Sequence, residues 1–116
     1  MRTDLPFISL TLWSLAIAVL SLLPAETAIS TGAGDKLEHG LAYAVLAILL
    51  RATFASPSML KAWGFCTLFG GLIELGQVYS PGRYAEFMDM VANGTGAALG
   101  LSLYFAWATT LRRRQQ

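Results

Sequence analysis

Residues 68–100 hold two long apolar segments separated by a short polar break, Tyr79-Ser80-Pro81-Gly82-Arg83-Tyr84. Polar side chains sit just inside both segments: Glu74 and Gln77 before the break, Asp89 and Asn93 after it. Such groups are costly to bury unless each finds a partner. A chain with this stretch is therefore restricted to helices packed with those four residues inward, crowning one end of a bundle.

The medium follows from composition. Hydrophobic residues make up 55% and charged residues 13%, against about 25% charged in a typical soluble domain. This points to a membrane. The length, 116 residues, suits one domain. Net charge is +1, and no basic stripe interleaved with aromatics is present, which argues against nucleic acid as a partner. The single cysteine, Cys66, excludes an intrachain disulfide and a cysteine-based zinc site.

Four spans are expected, at about 6–24, 36–54, 57–79 and 87–111, in a single domain covering 1–116. Pro6 to Leu23 carries no charge and is long enough for a spanning helix of about 20 residues. A signal peptide competes for this segment, but it would have a shorter apolar run and a more basic start than Arg2 offset by Asp4. Pro24 to Gly34 reads as a loop. Asp35 is placed to cap the second helix, with Glu38 as the returning carboxylate of a capping box. Arg51, near the far end of that helix, can snorkel to headgroups. Ser56-Pro57 reads as the N-cap and first position of the third helix. Pro81-Gly82 ends that helix in a tight turn. The fourth runs to about Leu111, leaving Arg112 to Gln116 as a tail.

Four spans put both termini on one side, with the loop between helices two and three. That side collects Arg2, Arg51, Lys61, Arg112, Arg113 and Arg114, against Lys36 and Arg83 on the other. The bias predicts cytoplasmic termini, and so an outward-facing polar crown.

Helical spacing sorts the polar residues into faces. Lys36, His39 and Tyr43 share one on helix two. Gly70, Glu74 and Gln77 share one on helix three. Asp89, Asn93, Gly96 and Gly100 share one on helix four. Helix one offers only hydroxyls such as Ser14 and Ser21. With helix three ending at Tyr79, Glu74 lies five residues, roughly 8 Å, below its end. A carboxylate facing lipid near mid-membrane costs about 2.5–3.5 kcal/mol, so the three faces are expected to turn toward one another. Lys36 or Arg83 then offsets Glu74 and Asp89, and Gln77 and Asn93 fill the remaining hydrogen bonds. Gly96 and Gly100 form a small-xxx-small surface for close packing.

Read in order, Asp35-Lys36-x-x-His39-x-x-x-Tyr43, Glu74-x-x-Gln77, Pro81-Gly82-Arg83 and Asp89-x-x-x-Asn93-x-x-Gly96-x-x-x-Gly100 resemble the VanZ-like family. These are small bacterial membrane proteins named after a teicoplanin-resistance protein. The resemblance covers roughly Asp35 to Gly100. It departs at Gly40, where an aromatic is expected. It implies a role at the cell envelope and in glycopeptide resistance, and supplies no reaction.

The functional expectation is a multi-pass protein of the bacterial inner membrane. Its polar crown would recognise an anionic lipid, a lipid-linked glycan or a glycopeptide antibiotic. Lys36, Arg83, Gln77, Asn93, Tyr43 and Asp35 are the ligand-binding candidates. The alternative is an outer-leaflet hydrolase or transferase acting on a phospholipid or lipid-linked precursor. Glu74, His39 and Asp89 would then supply general acid or base. No cofactor is required, although a divalent metal at Glu74, Asp89 and His39 is conceivable on chemical grounds. Neither a zinc-protease helix nor a Ser-His-Asp elbow is present. A multidrug-type transporter fits less well, because helix one lacks a charge and transporter sites lie near the midplane. Membrane lipids are the expected partners, with a second copy or another membrane protein as further options. A purely architectural role for the crown competes with all of these.

Overall fold

The computed structural model describes residues 4–30, 32–54 and 58–116. Among them are four α-helices and no strand: α1 Leu5–Leu22, α2 Asp35–Thr53, α3 Met59–Gln77 and α4 Phe87–Arg114. The all-α expectation holds. Arg2 and the Ser56-Pro57 start signal lie outside the described residues. The described cap of α3 is Ser58, whose hydroxyl accepts the Lys61 N–H at 3.1 Å.

Several helix ends differ from the sequence reading, among them that of α1, which stops at Leu22. The second helix begins one residue early. Asp35 is its first residue and Gly34, at φ 104°, its N-cap, with no side-chain capping bond. The expected capping box therefore does not form. Gly34 turns the chain with a backbone conformation open to glycine, which frees the Asp35 carboxylate for Lys36 and His39. The Glu38 carboxylate instead accepts the Ser30 hydroxyl at 3.0 Å. The third helix ends at Gln77, not Tyr79, because the following N–H groups tighten onto carbonyls three residues back. Glu74 is thus three residues, about 4.5 Å, from the helix end. The fourth helix takes in the expected basic tail as far as Arg114; cations in a last turn complement the helix dipole.

The packing centres on α2, which lies against the other three helices, while α1 and α4 do not touch. The contact between α2 and α4 is the most extensive, and glycine makes it. A Cβ on Gly96 would overlap the Gly40 carbonyl, lying 2.7 Å from the Gly40 Cα, and one on Gly100 would overlap Ala44 in the same way. Gly40 is also where the family resemblance predicts an aromatic, and here that position is backbone against backbone. The smaller contact of α1 with α2 is pinned by Trp13, whose indole N–H donates to the Ala42 carbonyl at 2.9 Å. Trp13→Phe should cost about 1 kcal/mol, read as a lowered Tm in detergent. An unchanged Tm would mean that apolar contact alone holds α1.

The end of α1 is held from across the fold. A helix leaves its last four carbonyls without intrahelical partners. Here Arg83 donates to Leu20 O (3.4 Å) and Leu23 O (2.8 Å), Gln77 Nε2 to Ser21 O (2.9 Å), and Ser80 to Leu22 O (2.8 Å). The polar break between α3 and α4 is thus the cap of α1.

Beside an apolar core of Ile17, Leu46, Leu50, Ile73 and Leu101, the interior takes in polar residues while large apolar side chains stay outside. Glu74, Gln77, Asp89 and Asn93 are buried with Tyr43, Ala47, Cys66 and Ala97, while Leu60, Phe65, Leu68, Leu99, Leu103, Phe105 and Trp107 are exposed. By length and composition, one helix among the described residues, α1, is apolar enough to cross a membrane. The polar crown residues lower the hydropathy of the other three.

Candidate functional site

The three predicted faces meet at one end of the bundle, in layers. Outermost is the Lys36 ammonium, from the first turn of α2. It bonds to Asp89 and to Glu86 (2.6 Å) and lies 3.7 Å from Asp35. One turn inward is His39. Its Nδ1 is 3.0 Å from Asn93 Oδ1, and its Nε2 lies 3.5 Å from Asp35 Oδ1 and 3.9 Å from Asp89 Oδ2. One turn further is Tyr43, packed on Gly70: a Cβ there would come within 3.0 Å of the ring and 2.9 Å of Asn93 Nδ2. Spacing by three and four along α2 and α4 stacks these pairs.

Glu74 takes a different position from the one expected. Its Oε2 accepts the Glu86 N–H at 3.0 Å. It borders an open apolar groove of about 660 Å³ between α3 and α4, with Trp63, Thr67, Leu72, Phe87 and Met90. Among the described residues the metal-capable group is Asp35, His39 and Asp89, without Glu74. Arg83 does not offset a carboxylate either, because the open carbonyls of α1 attract its planar donors.

On the other side, between α1 and α2, lies a cavity of about 340 Å³. Trp13, Ala16, Ile17, Leu20, Ile29 and Ala42 form its apolar wall. Ser30, Asp35, Glu38, His39, Tyr43, Gln77 and Arg83 form its polar end. Two polar atoms of residues at that end are buried without a hydrogen-bond partner, the Tyr43 hydroxyl and Gln77 Oε1, as is Glu74 Oε1. Of the residues singled out from sequence, Asp35, His39, Tyr43, Gln77 and Arg83 thus line the cavity. Lys36, Asp89 and Asn93 support them from behind.

Sequence reasoning missed Glu86, which joins Lys36 to Glu74. The signal was available, since Glu86 lies one turn before Asp89 at the start of an apolar helix. It also missed Trp13 and the carbonyls of α1, for which an uncharged helix gives no sign.

No curated protein and no solved structure is significantly similar to the chain. The family model described as VanZ/LLP1 matches residues 5–108, the first three helices, most of α4 and the whole polar end included, and the chain belongs to that family.

Proposed function

We propose that this is a multi-pass membrane protein of the bacterial envelope that recognises an amphipathic lipid with a hydroxyl-rich head, a lipid-linked glycan. The site is the cavity between α1 and α2. One observation carries this reading. A single cavity joins an apolar wall to a polar end where the Tyr43 hydroxyl and Gln77 Oε1 are buried without partners. Each unmet polar group costs about 1–3 kcal/mol, which a head rich in hydroxyls would offset. Lys36 is engaged by carboxylates and Arg83 by carbonyls, which argues against direct capture of an anionic head. A glycopeptide antibiotic is too large to enter and would meet only the mouth.

The burial pattern supports the membrane part of the reading. Exposed Leu, Phe and Trp around an interior that holds Glu74, Gln77, Asp89 and Asn93 beside its apolar core suit lipid as the surrounding medium. Helices of 18 and 19 residues are about 27–29 Å long at 1.5 Å per residue, close to the hydrocarbon thickness of about 30 Å. The distribution of basic residues favours cytoplasmic termini and hence an outward cavity.

A catalytic reading, hydrolysis or transfer on the same lipid, is favoured by one contact. His39 Nε2 faces Asp35 at the cavity mouth, as a general base would. The Ser30 hydroxyl donates to Glu38 rather than to His39, so among the described residues no hydroxyl bonds to His39, which favours binding.

Mass spectrometry of lipids extracted from the purified protein tests the proposal, with wild type compared to Ala16→Phe, which fills the apolar wall. Wild type should retain one lipid class that the variant loses. Retention of the same lipids by both would sink the cavity as the binding site. Conversion of an added lipid by wild type would turn the reading to the enzyme.

A further inference from the structure

We propose that Asp35 and His39, which line the polar end of the α1–α2 cavity, and Asp89 behind them hold a divalent cation, Mn²⁺ or Zn²⁺. The argument begins with the imidazole. With Nδ1 3.0 Å from the Asn93 amide oxygen, a neutral ring that donates Nδ1–H there presents a lone pair at Nε2. That lone pair faces carboxylate oxygens of Asp35 at 3.5 Å and Asp89 at 3.9 Å. Lys36 offsets the outer oxygens of both carboxylates, and the two oxygens turned toward Nε2 leave three acceptors facing one another, an arrangement that a second cation would relieve. A proton on Nε2 satisfies them poorly, because charge-assisted N–H···O bonds are about 2.7–2.9 Å. A metal fits better. Ligands at about 2.1 Å in tetrahedral array stand roughly 3.4 Å apart, near the observed separations, and the candidate donor atoms all lie within 4.8 Å of one another. An Nδ1–H donated to an amide oxygen is also how a metal-binding histidine is commonly oriented.

Two further observations point the same way. The cavity that Asp35 and His39 line is also lined by Gln77 and Tyr43, whose Oε1 and hydroxyl are buried without hydrogen-bond partners. The charges around the mouth are unbalanced. Asp35, Glu38, Glu86 and Asp89 outnumber Lys36 and Arg83, and Arg83 is committed to carbonyls. Lys36 takes Asp89 Oδ1 and approaches Asp35 Oδ2, leaving the other oxygen of each carboxylate toward His39. Mixed nitrogen and oxygen donors suit Zn²⁺ or Mn²⁺ better than Ca²⁺.

The cation also gives the site what its side chains lack, an electrophile for phosphate. It would coordinate the phosphate that joins glycan to lipid, and that part of the inference rests on the proposed function. The binding experiment uses metal alone, so the two can fail separately. Purified, chelator-stripped protein in detergent is titrated with Mn²⁺, and free ion is followed by its electron paramagnetic resonance signal. Wild type should bind one equivalent. Asp35→Ala, an exposed position that leaves the fold intact, should weaken binding at least tenfold, and His39→Ala should abolish it. No binding by wild type, or wild-type binding by Asp35→Ala, would overturn the metal site and leave lipid retention as a separate question. If metal binds as expected but no lipid is retained, the cation site stands and the lipid reading falls.

Discussion

Gly96→Ala should prevent α2 and α4 from packing and should lower stability more than any other single-methyl change in the chain. The added Cβ would overlap the Gly40 carbonyl, and both sides of that contact are helix backbone. A flexible side chain could swing away, but two helices have to separate. Overpacking a core costs about 1–3 kcal/mol, occasionally more, and a backbone clash belongs at the top of that range. Separation would also part Lys36 from Asp89 and His39 from Asn93, so the site should be lost with the contact. Gly64→Ala is the matched control. A Cβ there meets nothing within 4 Å, and Ala is favoured over Gly in a helix by about 1 kcal/mol. Thermal unfolding in detergent should show a large fall in Tm for the first variant and a small rise for the second. Equal Tm values for Gly96→Ala and wild type would contradict the close α2–α4 packing.

The second large effect is on binding, with the opposite sign on stability. Tyr43→Phe removes a buried hydroxyl that has no partner, so Tm should hold or rise by the equivalent of about 1 kcal/mol. Lipid retention should fall at least tenfold, because the ligand loses a hydrogen-bonding group at the cavity's polar end. Gln77→Leu would not make this test, since its Nε2 caps α1 through Ser21 O and stability would fall for that reason alone. A Tyr43→Phe protein that is stable and retains lipid as wild type does would show that the hydroxyl is not a ligand contact.

Much of this site was legible before any coordinates. The spacing of Lys36, His39 and Tyr43 against Asp89, Asn93 and Gly96 puts charge opposite charge and small residue opposite backbone, and the structure brings those faces together. Helical period and the cost of exposing polar groups suffice for that much. What they leave open is which neighbour an inward residue faces. Glu74 and Gln77 share a face of α3, yet Gln77 turns to α1 and Glu74 to the start of α4. The difference comes from the path of residues 78–86, which no periodicity encodes. Arg83 was misread for a related reason. Its partners are backbone carbonyls, and every sequence has those. The Asp35 cap failed because Gly34 could turn the chain itself, one residue earlier than an aspartate cap would.

On our proposal the α1–α2 cavity, and not the outer face of the bundle, selects a lipid. A photo-reactive side chain placed at Ile29, beside the polar mouth, and separately at Leu103, exposed on α4, tests it in intact cells. After illumination, the masses of the attached lipids are read. A sugar-bearing phospholipid-like adduct is expected at position 29 and bulk membrane phospholipid at position 103. The same bulk phospholipids at both positions would contradict it.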